Sequence, residues 1–209
     1  MKIAVICANG KAGRLIVKEA MDRNLDVTAV VRGENRSAAG KAIVKDLFDL
    51  TAEDLASFDA VVDAFGAWTP ETIPQIPRAT AHLCDVLAGT DIRLLVVGGA
   101  GSLYVNAEHT LCVEDGPDFP DAFKPLSAAH GEALKLLRPR NDVKWTYLCP
   151  AGDFQAEGER TGEYILGGEE LTLNSKGESV ISYADYAIAM MDEITSGSHI
   201  RERISVVRK

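Results

Sequence analysis

Six short apolar runs punctuate the first 150 residues, and they limit the chain to very few folds. They are Ile3-Ala4-Val5-Ile6, Val27-Thr28-Ala29-Val30-Val31, Ala42-Ile43-Val44, Ala60-Val61-Val62-Asp63-Ala64-Phe65, Leu94-Leu95-Val96-Val97 and Trp145-Thr146-Tyr147-Leu148-Cys149. The first is a continuous apolar run, as expected of a strand buried on both faces; the others read as strands too, Ala42-Ile43-Val44 as a weaker one. Helical spacing appears between them: first in Ala12, Leu15, Ile16 and Ala20, then in Ile76, Ala79, Leu83 and Leu87, and again in Leu126, Ala129, Ala133 and Leu137. Strands alternating with amphipathic helices predict an α/β fold, a doubly wound and mostly parallel sheet with helices on both faces.

The texture changes after Pro150, where glycines and charges replace the apolar runs. Tyr164-Ile165-Leu166 and Leu171-Thr172-Leu173 predict a hairpin around Gly167-Gly168. Ser182 is the expected cap of a last helix, with Asp185 three residues on in a variant of the capping box. Ile204-Ser205-Val206-Val207 closes as a final strand. At 209 residues the chain is one domain. Its sheet is expected to occupy residues 1–150, with 151–209 a small C-terminal portion on the substrate side that supplies a lid.

Composition narrows the function. Asp and Glu number 31 against 22 Lys and Arg, a net charge of −9, and an acidic surface repels the phosphate backbone of nucleic acid. Cys7, Cys84, Cys112 and Cys149 are scattered without a Cys-x-x-Cys pair, the pattern of reduced thiols in a cytoplasmic protein. No stretch approaches the ~18–20 apolar residues of a membrane helix. The expected partner is a small molecule, with neither nucleic acid nor membrane involved, and the expected state is monomer or homodimer.

The strongest chemical signal follows the first strand: Cys7-Ala8-Asn9-Gly10-Lys11-Ala12-Gly13. Glycines at such a turn provide φ freedom and let backbone approach a pyrophosphate, which the free amides and positive dipole end of the next helix then hold. Gly10 and Gly13 match the last two glycines of G-x-x-G-x-x-G, and Cys7 replaces the first. A side chain at position 7 is tolerable there if its φ stays negative and it turns into the core. Lys11 is followed by Ala12 rather than Ser or Thr, so the turn is not a phosphate-binding P-loop. The second strand ends in Arg32, where a site for NAD carries Asp or Glu toward the ribose 2′-hydroxyl. A guanidinium there holds a 2′-phosphate through two hydrogen bonds, which predicts NADP(H) over NAD(H), with Glu34 as a complication.

The chain resembles the NmrA-like atypical short-chain dehydrogenase/reductase family, and within it the NADH-flavin reductase type. The resemblance is carried by Ile3 to Gly13, Val27 to Arg32, Asp46-Leu47-Phe48-Asp49, Val62 to Gly66, Leu94 to Leu103, Trp145 to Gly152, Gly158-Glu159-Arg160-Thr161-Gly162 and Ser182 to Ala187. It implies a Rossmann-like fold, a bound nicotinamide dinucleotide, and reduction of FMN, FAD or a similar planar acceptor. It also implies Asp46 and Leu47 beside the adenine, Ala64, Phe65 and Gly66 along the adenosine side, and Gly98, Gly99, Cys149 and Pro150 on the nicotinamide side.

Short-chain dehydrogenases that move protons use Tyr-x-x-x-Lys, where the cation lowers the tyrosine pKa. No tyrosine here has Lys four residues later, and the matching helix positions are Leu126 and His130. His130 is the one candidate acid near neutral pH. Trp68, Tyr104 and Phe154 are the aromatic candidates for stacking an acceptor. The residues therefore point to hydride transfer to a flavin or quinone-like ring, in which the protein's task is positioning. The alternative is a redox sensor that binds the dinucleotide without turning it over.

Overall fold

The computed structural model describes residues 1–209. The chain runs β1 (Lys2–Ile6), α1 (Lys11–Asp22), β2 (Asp26–Val31), β3 (Lys41–Val44), α2 (Ala52–Leu55), β4 (Ala60–Asp63), α3 (Gln75–Leu87), β5 (Arg93–Val97), α4 (Lys124–Leu137) and β6 (Lys144–Cys149). It continues through β7 (Asp153–Gln155), β8 (Tyr164–Gly167), β9 (Val180–Ser182), α5 (Tyr183–Ser196) and β10 (Glu202–Arg208). The main sheet has the order β3-β2-β1-β4-β5-β6-β10-β8. All of its pairings are parallel except that of β10 with β8.

Strand parity sends successive side chains to opposite faces. Along β1, Ile3 and Val5 join a cluster with Ile16, Val17 and Ala20 of α1 and the apolar side chains of α5. Ala4 and Ile6 join a second cluster with Leu83 and Leu87 of α3 and Leu134 and Leu137 of α4. The sheet is thus covered on both sides, by α1 and α5 on one and α3 and α4 on the other. The chain winds outward from β1 to β3, then returns to β4 beside β1 and winds the other way. That reversal opens a crevice at the carboxyl ends of the strands, where ligands of such sheets bind.

The six expected strands and the doubly wound arrangement are present, with β3 a mostly exposed edge strand outside the core, and the C-terminal portion departs from expectation. Residues 151–209 are not an appendage: β10 is inserted between β6 and β8, and Val206, Val207, Tyr186 and Met190 lie in the main core. The hairpin around Gly167-Gly168 does not form, because Tyr164–Gly167 pairs with β10 instead. Only β8 finds an open sheet edge; Leu171 donates its amide to Tyr104 and forms no strand.

The capping box at Ser182 is half made. Ser182 Oγ accepts the Asp185 amide at 2.9 Å, but the Asp185 carboxylate turns away to accept from the Thr161 and Gly162 amides. Asp185 is fully buried, so these charge-assisted bonds pin the 158–163 loop onto α5. Gly197, at φ +65°, ends that helix in the left-handed conformation that suits glycine. No helix is long and apolar enough to cross a membrane.

Candidate functional site

The turn after β1 is tighter than its sequence suggests. Cys7 sits at φ +58°, so the expectation of a negative φ is overturned: it takes the left-handed conformation that a glycine would adopt without strain. The fold imposes it, since Gly10 donates its amide to the Cys7 carbonyl at 2.9 Å. Cys7 is half-buried against the α3–α4 side of the core, and burial, followed by the Asp63 charge, pushes its thiol up to about 12. It is inert at neutral pH.

Gly13 works by closeness. A Cβ there would fall 2.5 Å from the Cys7 carbonyl oxygen, so only glycine lets α1 approach β1. Gly10 caps α1 without a side-chain hydrogen bond. The first amides of α1 therefore have no capping partner and stand at the cavity as donors.

That cavity measures about 1550 Å³ and runs along the carboxyl ends of the strands. A single small-molecule site occupies roughly 300–1,000 Å³, so there is room for a dinucleotide and a second ring. Asn9, Gly10, Lys11, Ala12, Arg32, Asp46 and Leu47 line one half of it. Ala64, Phe65, Gly66, Trp68, Gly98, Gly99, His130, Pro150 and Phe154 line the other.

Four expected residues do not reach it. Ala8 and Gly13 are buried beneath the turn, where their backbone supports it. Cys149 is fully buried and shares the parity of Trp145 and Tyr147, which sends it into the α3–α4 cluster. Tyr104 stacks on His109 at 4.3 Å with Arg203 over its ring, holding the loop after β5 against the 169–171 segment.

Asn9 does more than occupy the turn. Its Nδ2 donates to the Glu34 carbonyl at 2.8 Å and its Oδ1 accepts the Arg36 amide at 2.7 Å. This ties the phosphate-type turn to the loop carrying Arg32 and Arg36. Lys11, Arg32 and Arg36 line the cavity and have no ion-pair partner in the protein, whereas Lys45 is paired with Asp54. Asp46 accepts the Phe48 amide and caps the short 3-10 turn at Leu47–Asp49, which sets Leu47 at the cavity edge. Three unpaired cations beside an uncapped helix terminus, in a chain of net negative charge, fit the phosphates of a bound dinucleotide.

On the opposite side the loop glycines admit close packing. A Cβ on Gly98 would meet the Tyr147 ring at 2.5 Å, and one on Gly99 would meet His130 at 3.0 Å. Burial pushes the His130 imidazole down to about 4, so it is neutral at pH 7 and is not the near-neutral acid expected from its type. The Tyr147 hydroxyl donates to the His130 carbonyl at 3.0 Å, and burial raises its phenol well above the ordinary range.

Several residues had no local signal. Val113, Phe119, Pro120 and Phe123 wall the second half, arriving from the loop between β5 and α4, and Ser127 joins them from the first turns of α4. From the expected lid at 151–181, only 151–154 and Ala156 reach the cavity; the rest is tied to the body by Asp185 and by the Glu169–Arg203 ion pair. Asp63, at the end of β4, is 3% exposed and accepts the Phe65 amide at 3.0 Å. Burial pushes its carboxyl up to about 6.

A sequence profile of a family described as NAD(P)H-binding matches residues 7–196. The uncharacterized Bacillus subtilis (strain 168) protein YwnB is 44% identical over 209 residues, covering 99% of this chain and 98% of its own. A solved protein of Streptococcus pneumoniae TIGR4, described as a candidate NADH-flavin reductase, is 55% identical with a TM-score of 0.98 and full coverage of both chains. A solved Bacteroides thetaiotaomicron protein, described as a candidate epimerase, is 34% identical with a TM-score of 0.83, covering 99% of this chain and 96% of its own. The last two names differ in chemistry, and the residues at the cavity must decide between them.

Proposed function

Because the chain belongs to the NAD(P)H-binding family, we propose that it is an NAD(P)H-dependent reductase that passes hydride from NADPH to a flavin or quinone-like planar acceptor. The observation that carries the reading is the division of one cavity into two chemically different halves. One half offers an uncapped helix terminus and unpaired cations; the other is walled by Trp68, Phe119, Phe123 and Phe154.

The bound dinucleotide supplies the hydride. The amides at Lys11 and Ala12 hold its pyrophosphate, and Arg32 with Arg36 receives the 2′-phosphate that distinguishes NADPH from NADH. Gly98 and Gly99 let Tyr147 and His130 pack against the end of β5, where the two glycines line the floor on which a flat ring lies. The aromatic wall stacks the acceptor and keeps water out, so that positioning carries most of the rate enhancement. No group at the acceptor half is tuned to exchange a proton at neutral pH, since His130 titrates at about 4 and Tyr147 far above 10. Epimerase chemistry needs such a pair, so the proton taken up in reduction comes from water.

The test is NADPH oxidation followed at the absorbance of the reduced cofactor, with FMN, FAD, riboflavin and menadione as acceptors. Saturable, acceptor-dependent oxidation is expected. Micromolar NADPH binding with no turnover across that panel would replace the enzyme with a redox sensor.

A further inference from the structure

β10 carries a charge into the interior. Arg203 is 3% exposed and is registered beside Tyr147 of β6, so the two side chains share the α3–α4 face of the sheet. Its guanidinium lies behind the connection between β5 and α4 and forms two sets of contacts. Nη1 donates to the Ser102 carbonyl at 2.7 Å and to Ser102 Oγ at 3.2 Å. Nη2 donates to the Glu169 carbonyl at 2.9 Å and pairs with the Glu169 carboxylate, which Arg138 of α4 shares at 2.7 Å. The guanidinium carbon also stands 5.0 Å from the centre of the Tyr104 ring.

These contacts fall on the root of the acceptor wall. The Gly101 carbonyl accepts the Glu114 amide at 2.9 Å and the Leu103 carbonyl accepts the Val113 amide at 3.0 Å, so residues 101–114 fold back on themselves as one unit. Tyr104 donates its amide to Glu169 and accepts that of Leu171, which together with Arg203 joins the unit to β10. Gly101 and Val113, at its two ends, line the cavity, and Phe119 and Phe123 follow from it. A guanidinium buried with its Nε unpaired is a poor stabiliser, and exchanging such ion pairs for apolar groups of similar volume is often neutral or better. What a guanidinium supplies is geometry: donors fixed in one plane fit one arrangement of Ser102 and Glu169, where an apolar chain fits several.

We propose that Arg203 is a positioning residue for the acceptor half of the cavity: from behind the wall, it sets where the connection after β5 presents Val113, Phe119 and Phe123 to the acceptor ring. The inference rests on the reductase reading and adds to it a residue that touches neither dinucleotide nor acceptor. Displacing the root of the wall by even about 1 Å misplaces every side chain carried on it. The turn at Gly10 and the loop carrying Arg32 and Arg36 share no hydrogen bond or ion pair with this network. Dinucleotide affinity is therefore separable from acceptor affinity, and only the second depends on Arg203.

The experiment compares the whole protein with Arg203→Met and with the double variant Arg203→Met/Glu169→Leu. The double variant removes both charges of the pair, so the question can still be answered if a lone Glu169 charge unfolds the single one. Three quantities are measured: kcat and KM for menadione and riboflavin at saturating NADPH, the NADPH Kd by isothermal titration, and backbone hydrogen exchange by mass spectrometry. KM for the acceptor should rise about tenfold with kcat held within about threefold, while the NADPH Kd stays within about twofold. The amides of Tyr104, Val113 and Glu114 should exchange at least about tenfold faster, with those of β1 unchanged. Arg203→Lys keeps the charge without the planar fork and should leave KM raised by about threefold or more.

A merely structural arginine would weaken NADPH and acceptor alike as the fold loosens. That pattern would overturn the inference and leave the reductase reading intact, as would an unchanged acceptor KM, unchanged exchange, or full recovery in Arg203→Lys. If the parent turns over no acceptor, the reductase reading falls by itself. Faster exchange at those three amides, with the NADPH Kd held, then keeps Arg203 as the residue that positions this wall, and unchanged exchange ends both.

Discussion

Asn9 accepts the backbone amide of Arg36 through its Oδ1 at 2.7 Å, tying the turn after β1 to the loop after β2. The same side chain donates to the Glu34 carbonyl, so it fixes both ends of the segment that presents Arg36. Asn9→Ala removes both bonds and leaves the loop free to sample other positions. With each bond worth about 0.5–1.5 kcal/mol, NADPH affinity should fall roughly fivefold to tenfold. Isothermal titration checks it, with circular dichroism unchanged; an unaltered Kd would mean that the loop orders itself without Asn9.

Arg32 stands exposed at the cavity without an ion-pair partner, next to the segment that Asn9 holds. Its guanidinium matches the geometry of a phosphate. Arg32→Ala should weaken NADPH about tenfold and leave NADH nearly unchanged, measured as separate dissociation constants. Equal losses for both dinucleotides would place Arg32 on the pyrophosphate instead.

Cys7 carries a left-handed φ of +58° in the middle of this turn. A non-glycine residue there is strained by about 1–2 kcal/mol. Cys7→Gly should therefore raise stability by up to about 1 kcal/mol after the entropy of the added glycine, a Tm gain of roughly 2–4 °C. Cys7→Ala keeps the strain and loses the sulfur's contacts, so its Tm should fall. Thermal denaturation of the two variants side by side decides it; a loss in both would show that the contacts of the thiol outweigh the strain.

The turn was legible as a turn because Gly10 and Gly13 act within seven residues of the strand they follow. Its conformation at Cys7 was not, because residue type does not report φ. The core strands were legible because burial on both faces of a parallel sheet leaves uninterrupted apolar runs. Cys149 was misplaced by proximity to Pro150: adjacent residues of a strand point to opposite faces, and Cys149 has the parity of Trp145 and Tyr147, in the core. The acceptor wall left no trace, since Phe119 and Phe123 are brought to the cavity only by the long connection after β5. The tail was misread for a related reason. β8 had two candidate partners of equal local merit, and the open edge of β10, 35 residues or more along the chain, took it.

Asp63 lies at the end of β4, 3% exposed, and its carboxylate accepts the Phe65 amide that starts the cavity-lining Ala64–Trp68 segment. Burial raises its pKa from 3.8 to about 6. A carboxyl with a raised folded pKa binds its proton more tightly when folded. Its contribution is fully present below the unfolded value near 3.8 and is lost as pH rises through about 6. The charge that remains at neutral pH costs at most about 3 kcal/mol. Asp63→Asn keeps an acceptor for the Phe65 amide and removes that charge. It should raise Tm at pH 7.5 and flatten the stability change between pH 4 and 6, measured by urea unfolding across that range. A variant less stable than the parent at pH 7.5 would show that the ionised carboxylate is held by its hydrogen bonds more strongly than burial opposes it.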